Sequence, residues 1–322
     1  MEKHIHKDLL PAFKRLSPMI FTEARLPLIR GINQKLIRPY KDESLQFTEH
    51  HITYADSDVS IRVKVYAPKA QQQPLPVVLY IHGGGTFFGT VEGNDATCAS
   101  YVKHVPCVVV SVDYRLAPEH PYPAALEDCY LALQWIVSER ETLNIDIDRL
   151  AVVGGSTGGG LTAALTLLAR DRKGPNIKFQ MPLFPMIDDT CATPSSQEVL
   201  DSKVWSSELN QFAWSMYLKN IKGDVPKYAA PIRETDFSQL PATYTSVGTL
   251  DPYRDETINY VQALAQAGVP VEFHLYPGCY HEFESIAPDA PISKQSKAAA
   301  LQALKQALTD EDASIKAKNI EK

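Results

Sequence analysis

No stretch of the sequence approaches 18 uninterrupted apolar residues, so a membrane-spanning helix is not expected. The segment Met1 to Pro18 also lacks a continuous apolar core, because Lys3, His4, His6, Lys7, Asp8, Lys14 and Arg15 interrupt it. No secretory signal is read there, and the expected compartment is the cytoplasm. Cysteine is sparse: Cys98, Cys107, Cys129, Cys191 and Cys279 are scattered without a C-x-x-C, which fits reduced thiols better than a disulfide framework. An excess of positive charge is missing as well. The 32 Lys and Arg stand against 38 Asp and Glu, a net charge of −6, which argues against nucleic acid as the main partner. His4 and His6 have no further ligand nearby in sequence and read as part of a solvated tail rather than a metal site.

What is present is a chain of 322 residues with 44% hydrophobic and 22% charged content, ordinary for a single α/β domain with an embellishment. Its organising stretch is Gly154-Gly155-Ser156-Thr157-Gly158, extended by Gly159 and Gly160. The apolar run Leu150 to Val153 precedes it and Leu161 to Leu165 follows, giving a strand, a sharp turn and a helix. In that context G-x-S-x-G makes a nucleophile elbow, where a strained serine needs small neighbours. The motif alone would occur by chance in on the order of one chain in ten of this length, given ordinary glycine usage. A phosphate-binding turn is the competing reading, but no Lys-Ser/Thr follows the glycines. The elbow therefore needs partners elsewhere.

Continuous apolar runs at Val77 to Ile81, Cys107 to Val112 and Leu150 to Val153 read as strands covered on both faces. An antiparallel pair, Gln46 to Tyr54 and Val59 to Ala67, precedes them across the turn Ala55 to Asp58. Further strands are expected at Lys178 to Leu183, Ala242 to Val247 and Val271 to Leu275. Helices are expected from Pro123, after Ser156, at Glu256 to Ala267 and at Ser293 to Leu308. Alternation of this kind predicts a mostly parallel, doubly wound sheet. Residues 1–45 read as short helices lying over something larger, and Asp310 to Lys322 as a charged, frayed end. Thr190 to Asn220 breaks the alternation with Val204, Trp205, Leu209, Phe212, Trp214 and Tyr217. It is either additional core or a lid. Its position at the carboxyl ends of the strands favours the lid.

Serine is a weak nucleophile until a base takes its proton, and in this architecture the order is Ser, Asp or Glu, then His. Only His274 and His281 follow Ser156. His274 alternates with apolar residues inside a strand pattern and reads as a surface position. His281 lies beyond the strand, in Pro277 to Phe283, where catalytic residues are commonly placed. The acid expected at a strand end is Asp251, after Tyr244 to Leu250. Asp255 and Glu256 compete, but they open a helix, where carboxylates serve caps and the dipole. Backbone donors for an oxyanion are expected at Thr157 and in the turn His82-Gly83-Gly84-Gly85.

These residues, together with Asp113-Tyr114-Arg115-Leu116-Ala117-Pro118-Glu119-His120-Pro121-Tyr122-Pro123-Ala124, Asp251-Pro252-Tyr253-Arg254-Asp255-Glu256 and Tyr276-Pro277-Gly278, resemble the hormone-sensitive-lipase-like, H-G-G-G bacterial carboxylesterases of the α/β-hydrolase class. The resemblance spans roughly residues 45–285. It implies an α/β-hydrolase fold with a helical cap, built from residues 1–45 and an insertion at about 190–220 in a catalytic domain of residues 46–322. It implies a triad of Ser156, Asp251 and His281, with Gly83, Gly84 and Thr157 as oxyanion donors. His82 and the segment Tyr114 to Pro123 would support the site. The family usually has an acid at the position of Gly155, Ala at Thr157, Asn at Gly160 and a large apolar residue at Thr86. The expected activity is hydrolysis of small, short-acyl carboxylic esters through an acyl-enzyme, with no cofactor and no metal. Dimers are frequent in the family, so a homodimer is an expected assembly. Two alternatives stand beside this: a non-catalytic small-molecule binding protein on the same fold, and an amidase or peptidase.

Overall fold

The computed structural model describes residues 1–55 and 58–309. The centre of the turn expected at Ala55 to Asp58, and the charged end from Asp310, lie outside the described residues. The strands are β1 (Leu45–Thr53), β2 (Ser60–Pro68), β3 (Leu75–Ile81), β4 (Val108–Asp113), β5 (Ile145–Gly155), β6 (Phe179–Leu183), β7 (Ala242–Leu250) and β8 (Val271–Tyr280). The helices are α1 (Leu10–Phe13), α2 (Leu26–Leu36), α3 (Asp95–His104), α4 (Ala124–Ser138), α5 (Thr157–Asp171), α6 (Pro194–Glu198), α7 (Ser207–Tyr217), α8 (Arg254–Gln266), α9 (Phe283–Ile286) and α10 (Pro291–Thr309).

The strands form one eight-stranded sheet in the order β1-β2-β4-β3-β5-β6-β7-β8. Pairing is antiparallel between β1 and β2 and between β2 and β4, and parallel from β4 onward. The valine-rich runs are strands because both faces are covered: Val77, Val78, Leu79, Val108, Val109 and Val110 are fully buried. Leu126, Leu133 and Ile136 of α4 and Leu161 and Leu165 of α5 pack on one face. Cys98 and Val102 of α3 and Leu304 and Leu308 of α10 pack on the other. The parallel strands all end on one edge of this layered core, and that edge carries the site.

Three local expectations need correction. Pro123 stands one residue before α4, as its N-cap, rather than in its first turn. Strand β8 continues through Pro277 and Gly278 to Tyr280, where a loop was expected. It is the outermost strand, where a proline interrupts no ladder on its open side. A register shift between Gly248 and Leu250 lets Leu250 pair with Tyr280, so β7 and β8 both reach further than their apolar runs indicated. The N-terminus, finally, is not a free tail. Ile5, Leu9 and Phe13 are buried against Tyr276, Tyr280 and Phe283, and the His6 N–H donates to the Gly278 carbonyl at 2.8 Å.

The region Thr190 to Asn220 contains α6 and α7 and no strand. Its Val204, Trp205, Leu209, Trp214 and Tyr217 are buried.

Helix α5 meets the segment after β6 at very short range. A Cβ added to Gly160 would lie 2.0 Å from the Met186 carbonyl oxygen, so the helix can seat only with a bare Cα there. We expect Gly160→Ala to lower the unfolding free energy by about 2 kcal/mol or more, measured by urea denaturation followed by circular dichroism. An unchanged midpoint and slope would show that the 184–187 segment yields freely.

Candidate active site

Ser156 links β5 to α5 with φ 58 and ψ −123, a conformation that costs a side-chain-bearing residue on the order of 1–3 kcal/mol. Three backbone bonds hold it there. Its N–H donates to Leu183 O at 3.0 Å, and its carbonyl accepts from Gly160 N at 2.9 Å and Met186 N at 3.1 Å. The hydroxyl thus stands at the end of β5, above the N-terminus of α5.

His281 follows the last residue of β8, and Asp251 the last residue of β7. The Ser156 hydroxyl donates to His281 Nε2 at 2.9 Å, and His281 Nδ1 donates to Asp251 Oδ2 at 2.8 Å. The other carboxylate oxygen of Asp251 accepts from the Tyr253 N–H at 2.9 Å. The three side chains expose only 2%, 3% and 1% of their surface, so this chain of bonds is shielded from bulk water. Burial alone would lower the His281 pKa. The Asp251 charge and hydrogen bond, with Glu282 and Glu284 nearby, outweigh it and hold the imidazole above its ordinary 6.5.

The two rival acids have other duties. Asp255 pairs with Arg254 and accepts from Ser195 N at 2.8 Å. Glu256 is fully buried and accepts from Ile187 N at 3.0 Å, and burial raises its carboxyl well above the usual range. His274 is partly exposed and pairs with Glu272 at 2.8 Å.

The H-G-G-G turn is pinned from beneath. Burial holds the His82 pKa below its ordinary value, so its neutral ring donates from Nδ1 to the Gly83 carbonyl at 2.8 Å. Tyr114 stacks on that ring at 4.2 Å and donates its hydroxyl to the His82 carbonyl at 2.9 Å. Gly84 has φ +120, and a Cβ there would lie 2.2 Å from Phe88 O. Gly83 brings the turn onto Ser156, because a Cβ added to it would sit 3.3 Å from Ser156 Cβ. Among the described residues, no acceptor holds the N–H groups of Gly83, Gly84 or Thr157. Such free donors around a reacting carbonyl are what a tetrahedral oxyanion requires.

Several contacts of the site were not legible in the sequence. Arg30 of α2 donates to Phe87 O at 2.8 Å and to Ala117 O at 2.5 Å, and it chelates Glu119 at 2.9 Å, tying the N-terminal helix to the turn. Around His281 stand Phe184 at 5.0 Å, Tyr253 at 5.1 Å and Trp205 at 5.8 Å between ring centres. Trp205 Nε1 donates to the Tyr253 hydroxyl at 2.8 Å, which locks the insertion over the imidazole. On the other side of the elbow a cleft of about 260 Å³ reaches Gly83, Gly155, Phe184 and Glu282.

A family model described as the alpha/beta hydrolase fold matches residues 78–285. Esterase LipI of Mycobacterium tuberculosis (strain ATCC 25618 / H37Rv) is 37% identical over 255 residues, covering 77% of this chain and 78% of that protein. Carboxylesterase NlhH of the same organism is 33% identical over 310 residues, covering 94% of this chain and 97% of its own. The solved structure of a bacterial heroin esterase superposes with a TM-score of 0.90 at 36% identity, covering 96% of this chain and 99% of that one.

Only a neutral imidazole can take the serine proton, and a raised pKa keeps His281 protonated over more of the acid range. With a neutral ester, kcat/KM should therefore fall as pH drops through a midpoint above 6.5. Burial pushes the neighbouring Glu284 carboxyl up to about 7, so the limb belongs to the pair. Asp251→Asn should cost about 10⁴-fold in kcat. A limb centred below 6.5, or near-normal turnover by the Asn variant, would contradict this arrangement.

Proposed function

This chain belongs to the hormone-sensitive-lipase-like carboxylesterase family of α/β-hydrolases, and from that premise we propose that Ser156, His281 and Asp251 hydrolyse small, short-acyl carboxylic esters through an acyl-enzyme. The chain is a carboxylic-ester hydrolase. The observation that carries the residue assignment is the unbroken line of hydrogen bonds from the Ser156 hydroxyl through the imidazole to Asp251.

In this reading Ser156 Oγ attacks the ester carbonyl carbon while His281 Nε2 takes its proton. Asp251 keeps the imidazole in the productive tautomer and stabilises the imidazolium. The N–H groups of Gly83, Gly84 and Thr157 receive the oxyanion, each worth about 3 kcal/mol. Collapse of the intermediate breaks the carbon–oxygen bond, and Nε2 returns the proton to the departing alcohol. Water, deprotonated by the same nitrogen, then attacks the acyl-serine and frees the acid. No step of this sequence calls on a metal or an organic cofactor.

A short acyl chain is supported by what stands behind the elbow. Thr86, Thr157, Gly160, Leu161, Met186 and Trp214 enclose a void of only about 10 Å³, room for about one water molecule. Thr86 sits there at φ 67, a rare conformation for a β-branched residue, with its hydroxyl on Gly85 O and its carbonyl accepting from Ala117 N. The helical cap, residues 1–45 and about 190–220, is supported by Arg30 and Trp205, which fasten those segments to the site. A homodimer is proposed with it, supported by the edge of β8 ahead of Gly278, which has no partner strand; sedimentation near 35.8 kDa at micromolar concentration would remove it. The cytoplasm is the proposed compartment, supported by five unpaired cysteines.

With p-nitrophenyl acetate, the wild type should turn over and Ser156→Ala should lose at least about 10⁴-fold. Quenched wild-type enzyme should carry the acyl mass on the peptide containing Ser156. Full turnover by the Ala variant would remove the serine mechanism, and faster cleavage of the matched anilide would move the activity to amides. Met186→Ala should raise the ratio of hexanoate to acetate hydrolysis by about tenfold, since each added methylene buries about 0.8 kcal/mol. An unmoved ratio would place the acyl chain elsewhere.

A further inference from the structure

The cleft of about 260 Å³ lies between α3 and α10, on the side of the elbow away from Thr86, and its inner wall is Gly83, Gly155 and Phe184. Gly155 immediately precedes Ser156, and a Cβ at Gly83 would lie 3.3 Å from Ser156 Cβ, so this wall borders the serine. Two carboxylates face the space, Glu282 and Glu284. Glu282 stands in the left-handed region with φ 55 and caps α9 with its carbonyl. Its Oε1 lies 3.4 Å from where a Gly83 Cβ would be, close under the H-G-G-G turn. Among the described residues the Glu282 carboxylate has no side-chain hydrogen bond or ion pair, and its charge acts on the His281 imidazole. Glu284 is partnered on one side only: Oε1 accepts from Ser296 Oγ at 2.8 Å, while Oε2 is buried with no partner.

The remaining lining is weakly polar. Tyr80 donates its hydroxyl to Asn94 at 2.9 Å, and Tyr80 and Tyr101 present rings 6.0 Å apart. Among the described residues lining the cleft the one cation is Lys297, exposed on α10 and not paired with either carboxylate. An unpartnered carboxylate in a recess walled by aromatic rings is an environment that selects a compact, weakly hydrated cation.

We propose that this cleft is the subsite for the alcohol portion of the ester and that Glu282 makes the enzyme selective for alcohols bearing a quaternary or protonated amine. The inference rests on the esterase reading above and names its substrate class. With the carbonyl at Ser156, the alcohol oxygen leaves along the Gly83–Gly155 wall. A cationic group two carbons further on meets Glu282 first and Glu284 behind it. Glu282 acts as a specificity-determining residue and takes no proton in the reaction.

The test is a pair of acetates that differ by one atom and one charge: choline acetate and its neutral carbon isostere, 3,3-dimethylbutyl acetate. Acetate release is followed at neutral pH and low ionic strength on the full chain. The wild type should favour the cationic ester by about tenfold in kcat/KM, and the ratio should shrink in 0.5 M salt. Glu282→Gln, close to isosteric, should bring the ratio to within about twofold of one. A wild-type ratio at or below one, or a ratio that Glu282→Gln leaves in place, overturns the proposal. Hydrolysis of the neutral ester with no preference for the charged one sinks this inference alone. Hydrolysis of neither ester, nor of p-nitrophenyl acetate, sinks the esterase reading with it.

Discussion

The whole site depends on a backbone constraint: one serine held in a conformation that its own side chain disfavours. Nothing local to Ser156 repays φ 58 and ψ −123. The repayment comes from the Leu183, Met186 and Gly160 backbone bonds and from the bare Cα atoms that let α5 settle against the strand ends. Asparagine, usual in the family at Gly160, could not occupy this backbone, because its Cβ would meet Met186 O. Donor geometry at Thr157 follows from the same constraint, since its N–H is the first of α5 and points where the elbow points it.

The proposed acid and base are held by different means. Asp251 ends a strand paired on both sides, and its carboxylate is fixed by the Tyr253 N–H. His281 ends the outermost strand, which has a neighbour on one edge only. Edge strands are the less stable end of a sheet. Here the N-terminal residues Ile5, Leu9 and Phe13 pack against Tyr276, Tyr280 and Phe283, and the His6 N–H ties the chain to Gly278. The first fifteen residues thus act as a clamp on the strand that leads to His281. With Arg30 gripping the turn beside the nucleophile, the N-terminal segment reaches both halves of the site.

Much of this was legible in the sequence because its physics is local. Glycines at a strand-to-helix turn, valine runs buried on both faces, and an Asp and a His beyond strand ends all follow from a few neighbouring residues. Of the three side chains expected to meet, His281 stands within hydrogen-bond distance of both Ser156 and Asp251. Contacts that join distant segments were not legible. Nothing near Arg30 announces that its fork will find the Phe87 and Ala117 carbonyls, and Trp205 reads the same whether it fills core or covers an imidazole. The true length of β8 was hidden by Pro277 and Gly278, which read as a loop unless the strand is known to lie at an edge. His6, likewise, reads as solvated until the partner carbonyl of Gly278 is in place.

The departures from the family pattern also belong together physically. A side chain at Gly155 would place its Cβ 3.1 Å from the Phe184 ring, the ring that flanks His281 at 5.0 Å. An acid there could enter only by displacing Phe184, and it would bring a further carboxylate to the wall shared with Glu282 and Glu284. Crowded carboxylates repel and drive one another toward protonation. With Gly155 the negative charge next to the elbow comes from Glu282, the residue after His281, instead of from the residue before Ser156. That exchange leaves the inner wall of the cleft bare and open while keeping a carboxylate beside the imidazole, so Gly155 and Glu282 are best understood as one arrangement rather than as two separate substitutions.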